Sequence, residues 1–294
     1  METFAFLKTM NNQTQRFPSL VVVLVSCVAL GAAPARAQAQ EQSSPDRVSY
    51  VTDPTRPVLV KASLVNGGIT VKAYDGKEVI VEARARIRER ESSRSESNSM
   101  KRIVVSSTGL SVEAENNEVH VSTDSFARPI DLTITVPVHT SLKLSAVNDG
   151  SIVVTGVDGE LDINDVNGSV TLNNVSGSAV AHALNGRVLV TFTRINPKPM
   201  AFSSLNGDID VTFPADLKAN LTLKSDRGEI FSDFDVQVQA SAPKQTVEDG
   251  RKDGGKYVVK IDKSVHGTIG GGGPEMQFTN FNGSIYIRKT GAAR

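Results

Sequence analysis

The sequence predicts an all-β protein, a β-solenoid-like stack of short strands in two mainly parallel sheets. Two observations carry most of that expectation. Between residues 150 and 186 a glycine recurs every nine residues, at Gly150, Gly159, Gly168, Gly177 and Gly186. Two and four residues after each glycine stand apolar side chains: Ile152 and Val154, Leu161 and Ile163, Val170 and Leu172, Ala179 and Ala181, Val188 and Val190. A fixed period of this kind marks stacked supersecondary units, each unable to bury its apolar face alone.

Within a repeat, the alternation at offsets two and four is the strand period with one face buried. The next apolar residue comes at offset seven (Val157, Val166, Val175, Leu184, then Thr193), which breaks the parity and marks a corner. Asp149, Asp158, Asn167 and Asn185 precede four of the glycines and suit tight backbone. A helix is excluded, because these spacings trace no single helical stripe and the glycines would break it. Nine residues hold one strand and one corner, so a complete coil takes 18. The later glycine spacing of 21, from Gly186 to Gly207 to Gly228, fits the same plan with a longer coil. An antiparallel β-sandwich is the alternative, since Asn66-Gly67, Asn167-Gly168, Asn185-Gly186, Asn206-Gly207 and Asn282-Gly283 are also hairpin signals.

A longer similarity indicates duplication. LTITVPVHTSLKLSAVNDGSI from Leu132 matches IDVTFPADLKANLTLKSDRGEI from Ile209, with Pro137 on Pro214 and Gly150 on Gly228. In both, proline ends one strand where its missing N–H does no harm.

The chain divides into a signal peptide (1–37), a polar linker or loose strand (38–57), one repeat domain (58–289) and a short tail (290–294). Lys8 and Arg16 precede the apolar run Leu20 to Ala33, and Ala35-Arg36-Ala37 supplies a small-x-small cleavage site. Leu24-Val25-Ser26-Cys27 also resembles a lipoprotein box, so membrane anchoring would follow only if Cys27 were lipidated. Cleavage after Ala37 is the expectation, because the apolar run continues past Cys27. Within the domain, Val79, Val81, Ala83, Ala85 and Ile87 form one face of a strand. Residues 88–102 read as an exposed mixed-charge loop, and 237–256 as a polar excursion. The last coil, through Phe278, Phe281, Ile285 and Ile287, is expected to cap the open end of the stack.

The chain holds 32 basic and 32 acidic residues; without the first 37, 29 and 31 remain. Such a balance argues against nucleic acid. Cys27 is the only cysteine, so the mature chain relies on ladder hydrogen bonds and apolar stacking.

No catalytic, cofactor-binding or metal-ligating residue emerges, and no cofactor is expected. The densest polar cluster, Asp158, Glu160, Asp162, Asn164, Asp165 and Asn167, fails the EF-hand spacing at Val166 and reads as a solvent-facing row. His120, His139, His182 and His266 show no ligand spacing, and His182 is expected on the surface. The run Gly270 to Gly273 lacks the lysine of a phosphate loop.

With these repeats laid out, the chain resembles the bacterial putative-adhesin family of β-strand-repeat proteins, a domain of unknown function. The resemblance rests on Val65-Asn66-Gly67-Gly68-Ile69-Thr70-Val71 with Tyr74-Asp75-Gly76, and on Val136-Pro137 and Phe213-Pro214. It extends to Gly271-Gly272-Gly273-Pro274-Glu275 and Asn282-Gly283-Ser284-Ile285. It implies an exported β-solenoid-like domain of the cell envelope and carries over no site residue. The expected function is a non-enzymatic adhesin or surface-binding module contacting an envelope protein or glycan, whether periplasmic, outer-membrane-associated or extracellular. A carbohydrate-active enzyme on a β-helix scaffold and a passive envelope-stress or scaffold component are the alternatives.

Overall fold

In the computed structural model, which describes residues 45–86, 108–124, 128–239, 245–249, 257–261 and 264–291, every regular element is a strand. The signal segment 1–37 with Cys27, the charged loop 88–102 and parts of 237–256 lie outside the described residues. The chain begins with β1 (Asp46–Val51), β2 (Val58–Asn66), β3 (Ile69–Tyr74), β4 (Glu78–Ala85), β5 (Leu110–Glu115) and β6 (Glu118–Thr123). It continues through β7 (Ile130–Pro137), β8 (Thr140–Asn148), β9 (Ile152–Thr155), β10 (Asp158–Asp165), β11 (Val170–Ala183) and β12 (Val188–Ile195). Next come β13 (Met200–Asn206), β14 (Ile209–Phe213), β15 (Ala219–Ser225), β16 (Ile230–Ser232) and β17 (Gln237–Val238). A hairpin of β18 (Gln245–Asp249) and β19 (Tyr257–Ile261) precedes β20 (Val265–Ile269), β21 (Glu275–Asn282) and β22 (Ile285–Lys289).

These strands pair into two ladders joined by β11, whose halves belong to one ladder each. The first runs β6–β2–β8–β10–β11–β13–β21–β15, parallel throughout. The second runs β7–β3–β9–β11–β12–β14–β22–β16, also parallel throughout. Register confirms the two-repeat coil. Leu161 pairs with Ala179 and Val170 with Val188, 18 residues on, whereas Val188 pairs with Ile209, 21 residues on.

The Asn-Gly pairs make corners, not hairpins. Each carries the chain from the first ladder to the second, and successive pairs stack. The Asn282 amide donates to Asn206, Asn206 to Asn185, Asn185 to Asn167 and Asn167 to Asn148, an asparagine ladder along one edge. Such ladders satisfy side-chain amides between layers of identical geometry. The antiparallel sandwich is thereby excluded. A hairpin and a solenoid corner both need the tight backbone that Asn-Gly supplies, so the dipeptide alone could not separate them.

The offset-two and offset-four residues all point inward and are buried, Ile163, Val170 and Leu172 completely. Offset seven behaves differently at the two corners. Val157 and Val175 are buried, whereas Val166 is half-buried and Leu184 exposed. Thr193 is exposed as well, because a register shift pairs Val175 with Phe192 and turns that phenylalanine inward instead. Four buried phenylalanines fill the wider, 21-residue part of the stack. Phe192 stacks on Phe213 with centroids 5.3 Å apart, and Phe202 on Phe278 at 5.1 Å. Replacing Leu172 with Asp should cost about 4 kcal/mol or more, lost packing plus an unpaired buried charge. A thermal melt followed by circular dichroism checks this; an unchanged midpoint would contradict the inward placement.

The last coil does not cap the stack. β21 and β22 are inserted between the coil β13–β14 and the coil β15–β16. The first coil is inserted likewise: β2 lies between β6 and β8, and β3 between β7 and β9. The duplicated segments β7–β8 and β14–β15 are the neighbours of these two inserted coils, and Gly150 lies on Gly67 as Gly228 lies on Gly283. Antiparallel strands close the ends instead. β4 and β1 add to β7, β5 to β6, and β20 and β17 to β15. Strand β1 occupies part of the polar stretch 38–57. Phe234 and Val236, just before β17, pack against the core at its far end.

Candidate functional site

Strand alternation leaves half of each ladder residue set facing solvent, and parallel register lines those residues up across coils. On the outer face of the first ladder, Lys61, Lys143, Asp162 and Val180 form one row. Ser63, Ser145, Asn164 and His182 form the next. A groove of about 800 Å³ runs over these strands, lined by Leu59, Ser141, Lys143, Glu160, Asp162 and Lys198, among others.

Cross-strand ion pairs border the groove. Lys61 binds Glu118, whose other partner is the His120 ring 2.6 Å away. The Lys61 ammonium, ahead of His120, holds the Glu118 carboxyl below its ordinary range. Lys143 reaches Asp162 at 3.1 Å, and Lys198, from the loop between β12 and β13, binds Glu160. All these side chains are about a third exposed or more, so solvent screens each pair and it contributes little to the fold. Their charges therefore remain available to a polar partner at little structural cost.

The acidic cluster of the sequence disperses here. Asp158 binds Arg194 at 2.7 Å and His139 at 3.2 Å, while Glu160 and Asp162 take the lysines just named. Asn164 is exposed, and Asn167 joins the asparagine ladder. Asp165 departs from the expected solvent-facing row and is wholly buried. Alternation predicts that inward turn: Leu161, Ile163 and Asp165 share a parity, and only the residue's polarity argued against it. The histidines lie apart: His182 meets Ser203, and His266 sits 3.2 Å from Thr222. Among the described residues, no group of three or more His, Cys, Asp and Glu is placed to hold a metal ion.

None of the groove residues stood out in the sequence as a site. One signal was available: Val60-Lys61-Ala62-Ser63 and Leu142-Lys143-Leu144-Ser145 share a pattern, and the fold puts them side by side.

Comparison with curated proteins gave no match. Among solved structures, a putative cell adhesion protein from Clostridium sporogenes ATCC 15579 is 10% identical, over 84% of this chain and 100% of that one, with a TM-score of 0.41. A putative adhesin from Bacteroides fragilis NCTC 9343 is 13% identical over 84% and 97%, with a TM-score of 0.32. Another from Parabacteroides merdae ATCC 43184 is 10% identical over 83% and 96%, at 0.28. A family model covers most of the repeat domain, from Val60 on β2 to Gly270 after β20: over residues 60–270 the chain matches Toastrack DUF4097, and it belongs to that family.

Proposed function

We propose that this chain is a non-enzymatic, exported protein of the cell envelope that binds a protein or glycan partner in the manner of an adhesin. The outer face of β2, β8, β10 and β11 is its contact surface. The observation that carries this reading is the alignment of charged and hydroxyl side chains into rows across a shallow groove. Stacked coils hold those rows at the strand spacing of about 4.8 Å. A rigid face of this kind loses little conformational entropy on binding. Export is supported by the basic residues, apolar run and small-x-small site within residues 1–37.

Binding of the purified chain to a glycan array and to immobilised envelope extract tests the proposal, with Lys143→Glu beside the native protein. The charge reversal sets like charges together with Asp162 and should weaken capture at least tenfold while leaving the melting midpoint within a few degrees. Release of reducing sugar from cell-wall polysaccharide would overturn the non-enzymatic reading. Equal capture by both proteins would remove the groove from it. Fractionation of the cells tests export separately.

A further inference from the structure

The residues that end the first-ladder strands on the inward side form a row beneath the Asn-Gly corners. Ala146, Asp165, Ala183, Ser204, Asn280 and Ser225 occupy it in register. The polar members at the C-terminal end of the row share one behaviour. Ser204 Oγ donates to the carbonyl of Gly186 at 2.9 Å, Asn280 Nδ2 to that of Gly207 at 2.8 Å, and Ser225 Oγ to that of Gly283 at 3.3 Å. In each case the acceptor is the corner glycine of the adjacent coil.

Asp165 holds the same place two corners before Ser204, with Ala183 between them, and the corresponding acceptor is Gly150. Its carboxyl is wholly buried, and neither oxygen has a hydrogen-bond partner. The local geometry repeats that of Asn280. A β-carbon placed on Gly283 would lie 2.4 Å from the Gly207 oxygen and 3.1 Å from Asn280 Nδ2, which are bonded to each other. A β-carbon on Gly168 would lie 1.9 Å from the Gly150 oxygen and 2.6 Å from Asp165 Oδ2. An ionised carboxylate would set two acceptors against each other in a dry interior, and a protonated one supplies the donor that the row requires.

We infer that Asp165 is a neutral carboxylic acid in the native fold, donates its proton to the Gly150 carbonyl, and makes this corner a pH-sensitive latch. The groups packed against it offer no counter-charge. Ala146 of β8 and Ala183 of β11 flank it in the row. The amides of Ile152 and Asn167 favour the charged form, yet they already serve the carbonyls of Ser169 and Val147. At the neighbouring corner Asp149 is exposed, and the Arg86 guanidinium, which donates to the Asp149 carbonyl, is paired with Asp131. Burial accordingly raises the Asp165 carboxyl to about 7.

The sign follows from linkage. The folded state holds this proton more tightly than the unfolded chain, so the stabilisation is complete below about pH 4. It then declines about tenfold in the folding equilibrium per pH unit and levels off above about 7. Thermal melts of the full chain from pH 5 to pH 9 test this against Asp165→Asn, which donates at every pH. The native midpoint should fall as pH rises to 7, and that of the variant should stay level and be the higher at pH 8. Parallel profiles for the two proteins would overturn the inference. Should the variant fail to fold, carbon-13 titration of the native Asp165 carboxyl decides alone: a midpoint near 4 refutes the latch, and one near 7 supports it.

Discussion

Gly186→Ala should yield little or no folded protein at 37 °C, although it adds one methyl group to a corner at the surface. That methyl carbon would lie 2.0 Å from the Gly168 oxygen and 2.6 Å from its carbonyl carbon. Both are backbone atoms and cannot rotate aside. Relief requires the two coils to part by more than 1 Å. The contacts then lost include the Asn185 N–H bond to Val166, the Val170 N–H bond to Arg187 and the rung from Asn185 to Asn167, each 2.9 Å long. The Val170 N–H belongs to a buried residue, and leaving its bond unmade costs about 1–3 kcal/mol, while the two bonds of the exposed Asn185 contribute about 0.5–1.5 kcal/mol each. The cost thus approaches about 5 kcal/mol, comparable with the whole stability of many domains. Gly271→Ala is the control. Its β-carbon would meet nothing within 4 Å, and only the left-handed backbone at φ 85° opposes it, at about 1–2 kcal/mol. Soluble yield and melting midpoints separate the two; a Gly186 variant melting within a few degrees of the native protein would contradict the close stacking of the corners.

That comparison shows what the sequence could and could not reveal. Glycine at period nine was legible because close approach of two corners, 18 residues apart in each column, permits no side chain; Gly168 lies on Gly150 and Gly177 on Gly159. Inward strand positions were legible through period two; Asp165 was misplaced on the solvent side because its polarity was weighed above the parity it shares with Leu161 and Ile163. The inserted coils were not legible, because nothing local to β2 or β21 specifies which strands flank it. Parallel neighbours present the same carbonyl and N–H pattern whatever their order in the chain. The slip that turns Phe192 inward in place of Thr193 was hidden for a related reason: a bulge changes parity without any compositional mark. The groove was equally hidden, because its charges come from three strands and a loop and acquire meaning only through register.

Removal of residues 275–294 should unfold far more than the two strands it deletes. In a simple solenoid, loss of a terminal coil exposes one layer and leaves the others paired. Here β21 holds β13 on one side and β15 on the other, while β22 holds β14 and β16. Two strand spacings, about 10 Å, would open between coils that then share no backbone partner. Met276, Phe278, Ile285 and Ile287 are at most 1% exposed, and their removal forfeits roughly 6–12 kcal/mol of burial, besides uncovering Phe202 and Phe213. The coil β15–β16 and the end strands β17 and β20 then lose their footing, and the damage spreads inward to β13. Limited proteolysis with mass spectrometry should therefore find cleavage throughout residues 200–232 of the shortened chain, under conditions that leave the native protein intact there. Protection of that stretch in the truncated protein would show that β13–β14 and β15–β16 can close upon each other, and that the inserted coil is a late addition to a stack already stable without it.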